Sequence, residues 1–181
     1  MVKDFKRWTV YASGVGDLFN GVEIPAYGMD GKNGGAVDRF ADSVPAAVKT
    51  LYEKYGLPSC AGALMGIVSI DGTIGVNIEF SFGGSEDDDK DIVRRAARKT
   101  AEFISKETGY DIYDLNDYCI DYDLFIPYSR VDDFISKNGN FDNGNAMWDF
   151  TDRYYTKFNA YLSELSSENN RDGVPMKNMS D

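Results

Sequence analysis

Leu64-Met-Gly-Ile-Val-Ser-Ile70, Asp71-Gly72 and Thr73-Ile-Gly-Val-Asn-Ile-Glu-Phe-Ser-Phe82 form one continuous stretch whose pattern decides the fold. Asp-Gly suits a two-residue hairpin turn because both positions tolerate positive φ. In the second arm Ile74, Val76, Ile78, Phe80 and Phe82 alternate with Gly75, Asn77, Glu79 and Ser81, the period of a half-buried strand. A turn at Asp71-Gly72 sets Met65 opposite Ile78 and Ile67 opposite Val76, so both arms send apolar side chains to the same side. Ser85-Glu-Asp-Asp has capping-box spacing, and Asp87, Asp88 and Asp89 place carboxylates at the positive end of the next helix. That helix aligns Ile92, Val93, Ala96, Ala97, Thr100, Phe103 and Ile104 on one face and stops at Gly109.

Working outward, Phe5 to Ala12 reads as a first strand and Ser13-Gly-Val-Gly16 as a turn. Asn20 to Ala41, rich in glycine, reads as a long loop suited to an interaction arm. Ser43-Val-Pro45 opens a helix that carries Val48, Leu51, Tyr52 and Tyr55 inward and ends at Gly56. Beyond Gly109, Tyr118 to Tyr128 alternates as a strand, and Arg130 to Lys137 suits a short helix. Met147, Phe150, Tyr154, Phe158, Tyr161 and Leu165 form the stripe of a final helix, which faces the core or serves a homodimer. The expectation is one α+β domain over residues 1–166, a mainly antiparallel sheet around the 64–82 hairpin with helices on one face. A disordered polar tail is expected over 167–181.

Composition narrows the function classes. The chain carries 30 acidic and 19 basic residues, a net charge of −11, and no histidine. So acidic a protein repels nucleic acid and anionic membranes, which excludes direct sequence-specific DNA reading. Lack of histidine removes Ser-His-Asp and Cys-His catalysis and most zinc sites. No apolar run reaches the ~18–20 residues of a membrane span, and the N-terminus lacks a signal-peptide core. Cys60 and Cys119 form no CxxC pattern and read as free thiols of a cytoplasmic protein.

The charge is concentrated. Tyr110 to Phe150 holds nine Asp against one Lys and one Arg, whereas Ile92 to Thr108 carries five basic residues and two Glu. Tyr110, Asp111, Tyr113, Asp114, Asp117, Tyr118, Asp121, Tyr122 and Asp123 interleave carboxylates with tyrosines, a composition suited to a partner-binding surface. The implied partner is a protein with a basic, nucleic-acid-binding site, and the implied function is non-catalytic and cofactor-free. A small, acidic, histidine-free, aromatic-rich chain resembles, in general character, the phage anti-defence proteins, among them DNA-mimicking anti-restriction and anti-CRISPR inhibitors. That resemblance implies blockage of a defence nuclease.

An alternative rests on Asp121-Tyr-Asp123. On a strand, residues i and i+2 point to one side, so both carboxylates could bind Mg²⁺, with Glu79 as a third ligand. Ile-Asp-Tyr-Asp-Leu-Phe resembles the metal-binding strand of nucleotidyltransferase-like enzymes, and Phe82-Gly-Gly-Ser85 is similar to their glycine–serine turn, here with a basic helix between the two. That resemblance implies Mg-dependent nuclease or nucleotidyl-transfer chemistry. A phage structural or assembly protein, oligomeric through the Met147–Leu165 stripe, is a third reading.

Overall fold

The Asp71-Gly72 turn forms with positive φ at both residues (48° and 82°) and sets the expected register, Met65↔Ile78 and Ile67↔Val76. A computed structural model of the chain describes residues 1–11, 14–19, 22–24, 45–55, 65–83, 90–116, 119–140 and 144–172. The hairpin strands are β4 (Met65–Ile70) and β5 (Thr73–Ser81). They join β1 (Phe5–Tyr11), β2 (Gly14–Phe19), β3 (Val22–Ile24), β6 (Asp111–Tyr113) and β7 (Asp121–Pro127). The order is β3-β2-β1-β4-β5-β7-β6, with every neighbouring pair antiparallel. The helices are α1 (Ala46–Tyr55), α2 (Lys90–Thr108), α3 (Val131–Asn138) and α4 (Gly144–Asp172), with a 3₁₀ turn at Tyr128–Arg130. This is the α+β domain that the hairpin implied.

Alternation divides the sheet into two faces. Met65, Ile67, Val76, Ile78, Phe80, Leu124 and Ile126 pack in one core with the buried faces of the four described helices. On the second face, Val68, Ile70 and Phe125 form a small cluster with Phe5, Tyr113 and Leu115. Asp71 ties the N-terminal segment to the hairpin: its carboxylate accepts the backbone N–H groups of Lys3 and Asp4, each at 2.8 Å. Those bonds hold its pKa below the ordinary aspartate value. Gly109, at φ 71°, ends α2 by donating to the Ser105 carbonyl.

Several expectations are corrected. The glycine-rich stretch read as turn and loop contains β2 and β3, and Asp111–Tyr113 is the edge strand β6. Edge and glycine-rich strands are held by backbone ladders, which leave little side-chain periodicity to read. The final helix continues to Asp172, into the segment assigned to disorder, because propagating a helix costs far less than nucleating one. Its stripe residues Met147, Phe150, Tyr154, Phe158 and Leu165 are buried in the chain's own core, so the stripe is not a dimer face. The Ser85 capping box, the Asp87–Asp89 cluster, Cys60, and residues 25–41 and 173–181 lie outside the described residues.

Two substitutions test this packing. A Cβ added at Gly75 would lie 2.2 Å from the Ile126 carbonyl oxygen and 2.7 Å from Phe125 Cε2. Gly75→Ala is therefore expected to destabilise the fold by about 1–3 kcal/mol. Phe80 is fully buried among Phe82, Phe150, Tyr154 and Tyr155, so Phe80→Ala should cost about 3–5 kcal/mol. Urea denaturation monitored by circular dichroism measures both.

Candidate functional site

The second face of the sheet gathers polar residues from three strands. β7 sets Asp123 opposite Glu79 and Asp121 opposite Ser81, and Asn77 lies two residues before Glu79 on the same face. Arg7 of β1 reaches across β4, where Gly66, paired with Asn77, offers no side chain to block it. The Arg7 guanidinium donates to Glu79 Oε2 at 3.5 Å and lies 3.8 Å from Asp123 Oδ1. Asn77 Nδ2 donates to Asp123 Oδ1 at 2.6 Å, and Asn116 Nδ2 donates to Asp121 Oδ2 at 2.8 Å.

This cluster is buried and short of positive charge. Asp123 is 1% exposed and Asp121 5% exposed, and Glu79 and Asp123 share the Arg7 guanidinium while Asp121 has only Asn116 among the described residues. Burial pushes the Asp123 carboxyl up to about 6; the Asn77 bond and Arg7 oppose the rise, and Glu79 and Asp121 add to it. Burial also raises Glu79, with Arg7 opposing and Asp121 assisting. Asp121, Asp123 and Glu79 thus share a face as the Mg²⁺ reading required. Even so, no group of three or more Asp, Glu, Cys or His among the described residues could hold a metal ion. What the arrangement can do chemically is hold a proton.

The tyrosine–aspartate stretch does not form one surface row, which corrects the expectation of a continuous partner-binding strip. Tyr110 is 4% exposed, edge-on to Phe134 and covered by the Arg130 guanidinium at 4.1 Å from its ring centre. Tyr113 is half-buried against Phe125, and Tyr122 packs edge-on to Phe82 on the helix side. Strand alternation sends Tyr122 to one face and Asp121 and Asp123 to the other, inward face. Only Asp111 and Asp114 stand exposed; Asp117 and Tyr118 lie outside the described residues.

Other carboxylates of the acidic region are exposed, though some are neutralised. Asp132 accepts from the Tyr55 hydroxyl and from Lys54 Nζ at 2.9 Å, and Asp133 pairs with Lys137 at 2.9 Å. Hydrogen bonds from Tyr55 and Lys54 lower Asp132, and the bond from Lys137 lowers Asp133. Asp149 and Asp152 of α4 are exposed, beside Trp148, the exposed tryptophan that reading α4 as a core stripe passed over. Its signal was a large aromatic one position off that stripe. Cys119 is an exposed free thiol. No described helix is long and apolar enough to cross a membrane. Comparison with protein-family models, curated proteins and solved structures finds no match to the chain.

The proton site has a thermodynamic signature. Because Asp123 titrates higher folded than unfolded, the native chain binds more protons between about pH 4 and pH 6, and its stability falls as pH rises through that window. Glu79 acts in the same sense, while the lowered Asp71, Asp132 and Asp133 act oppositely at lower pH. Asp123→Asn is expected to flatten that dependence and to match or exceed the parent stability at pH 7. Urea midpoints across pH 4 to 7 test this, and an unchanged slope would place the proton elsewhere.

Proposed function

We propose that the chain is a non-catalytic acidic binding protein that occupies a basic, nucleic-acid-binding site on a partner protein and so keeps nucleic acid off it. One observation carries this reading: within the most acidic part of the chain, a set of carboxylates reaches solvent in no ion pair among the described residues. From Tyr110 to Phe150 nine Asp meet one Lys and one Arg. Of these, Asp111, Asp114 and Asp149 are exposed and in no ion pair among the described residues, and Asp152 extends the set. Such a field attracts a basic surface over roughly a Debye length, about 8–10 Å at ordinary salt, and rejects nucleic acid itself. Buried Asp121 and Asp123 contribute to the fold and stand apart from this surface. The general resemblance to phage anti-defence inhibitors fits the same reading, with a defence nuclease as the kind of partner it implies.

The test is capture from a bacterial lysate on the immobilised chain, with elution by rising salt, followed by nucleic-acid binding assays on whatever is retained. A retained protein should bind nucleic acid, lose it when the chain is added, and elute at moderate salt. The variant Asp111→Asn/Asp114→Asn/Asp149→Asn/Asp152→Asn should associate with it about tenfold more slowly. Equal binding by that variant, or a partner whose nucleic-acid binding is untouched, would overturn the proposal.

A further inference from the structure

Trp148 is 52% exposed, although it sits in the first turns of α4, where Met147, Phe150, Thr151 and Tyr154 are all buried. It follows Met147 by about 100° around the helix, which carries the indole off the core stripe to its flank. Asp152, four residues on, lies one turn away on the same side, and Asp149 follows directly. Neither carboxylate has an ion pair or hydrogen-bond partner among the described residues. The cation placed to neutralise Asp149 is Arg153, at i+4, but it is engaged elsewhere. Its guanidinium donates to Asn138 Oδ1 at 3.3 Å and lies about 5 Å from the ring centres of Phe150 and Tyr154.

An exposed indole beside two unpaired carboxylates on a helix matches one kind of group. A guanidinium stacks on an indole face, the best of the aromatic acceptors, and presents a planar fork of donors to a carboxylate. An ammonium is a compact, strongly hydrated charge that does neither as well. We propose that Trp148, Asp149 and Asp152 form the anchor that takes an arginine-bearing segment of a basic partner protein. The inference rests on the binding reading above and names the place and the side chain that reading leaves open. Exposed tryptophan is the residue type over-represented among interface anchors, and a helix already held by its core face loses little freedom on binding.

The test uses the full chain with nona-arginine and nona-lysine peptides as probes. The two tryptophans separate cleanly, since Trp8 is 6% exposed and Trp148 is 52% exposed, so acrylamide quenching of indole emission reports chiefly on Trp148. Nona-arginine should protect the indole from quenching, and nona-lysine should bind several-fold more weakly. Trp148→Ala and the double variant Asp149→Asn/Asp152→Asn should each weaken nona-arginine binding about tenfold by calorimetry, roughly 1.4 kcal/mol. All three positions are exposed, so unchanged melting temperatures verify the fold of each variant.

Three results would overturn the anchor: no protection of Trp148, equal affinity for the two peptides, or full affinity in both variants. If binding is instead lost only in Asp111→Asn/Asp114→Asn, the anchor falls while the acidic binding reading stands. That reading is judged separately, by whether a captured protein releases nucleic acid.

Discussion

Phe80 is the contact on which the rest of the structure depends. It stands on the helix-covered face near the end of β5, with ring centres of Phe82, Phe150, Tyr154 and Tyr155 between 5.8 and 6.5 Å away. From there the aromatic contacts spread to later helices. Phe150 meets Phe134 of α3, Phe134 meets Tyr110 just before β6, and Tyr154 meets Phe103 of α2. One hairpin residue thereby joins the local turn chemistry of Asp71-Gly72 to the packing of three helices. Aromatic pairs in tilted and edge-on arrangements add directional preference to the area they bury. That preference gives α4 a defined rotation about its axis.

The same strand that turns Phe80 to the helices turns Asn77 and Glu79 the other way. Period two therefore builds a polar cluster directly behind the apolar core. One guanidinium cannot compensate three carboxylates in a buried site, so burial raises Asp123 and Glu79 together. A buried ionic cluster of this kind is weak evidence for stability, since desolvating its charges costs more than a single pairing returns. Small glycines make the arrangement sterically feasible. Gly66 leaves room beside Asn77, and Gly75 leaves room for the Phe125 ring.

Function is placed by what these two faces leave over. Once the sheet faces and the helix stripes are assigned, the described acidic groups include carboxylates buried in the cluster, carboxylates in ion pairs such as Asp132 and Asp133 of α3, and carboxylates facing water in no ion pair. The third kind, which includes Asp111, Asp114, Asp149 and Asp152, is the part of the charge able to act on another molecule. The defined rotation of α4 keeps Trp148 exposed beside Asp149 and Asp152. Net charge alone describes how the protein behaves at a distance, whereas recognition at contact depends on which side chains the packing has left unmatched.

The sequence by itself determined the hairpin, its register, the covered face of the sheet, the inward stripes of α2 and α4, and the acidic character. Each of these is written in local spacing, in a favourable turn dipeptide or in a simple count of charges. Only the tertiary structure decided the rest. β2, β3 and β6 are short segments held by backbone pairing with β1, β2 and β7, which leaves little periodic trace in their side chains. Asp121 and Asp123, charged and tyrosine-flanked, suit a surface by composition, but β7 pairs with β5 and both side chains are buried. Trp148 lies one position off the Met147–Leu165 stripe, and the burial of Met147 and Phe150 leaves it exposed. Composition records how much charge and how much aromatic area the chain has; which of it meets water depends on contacts between residues far apart in the chain.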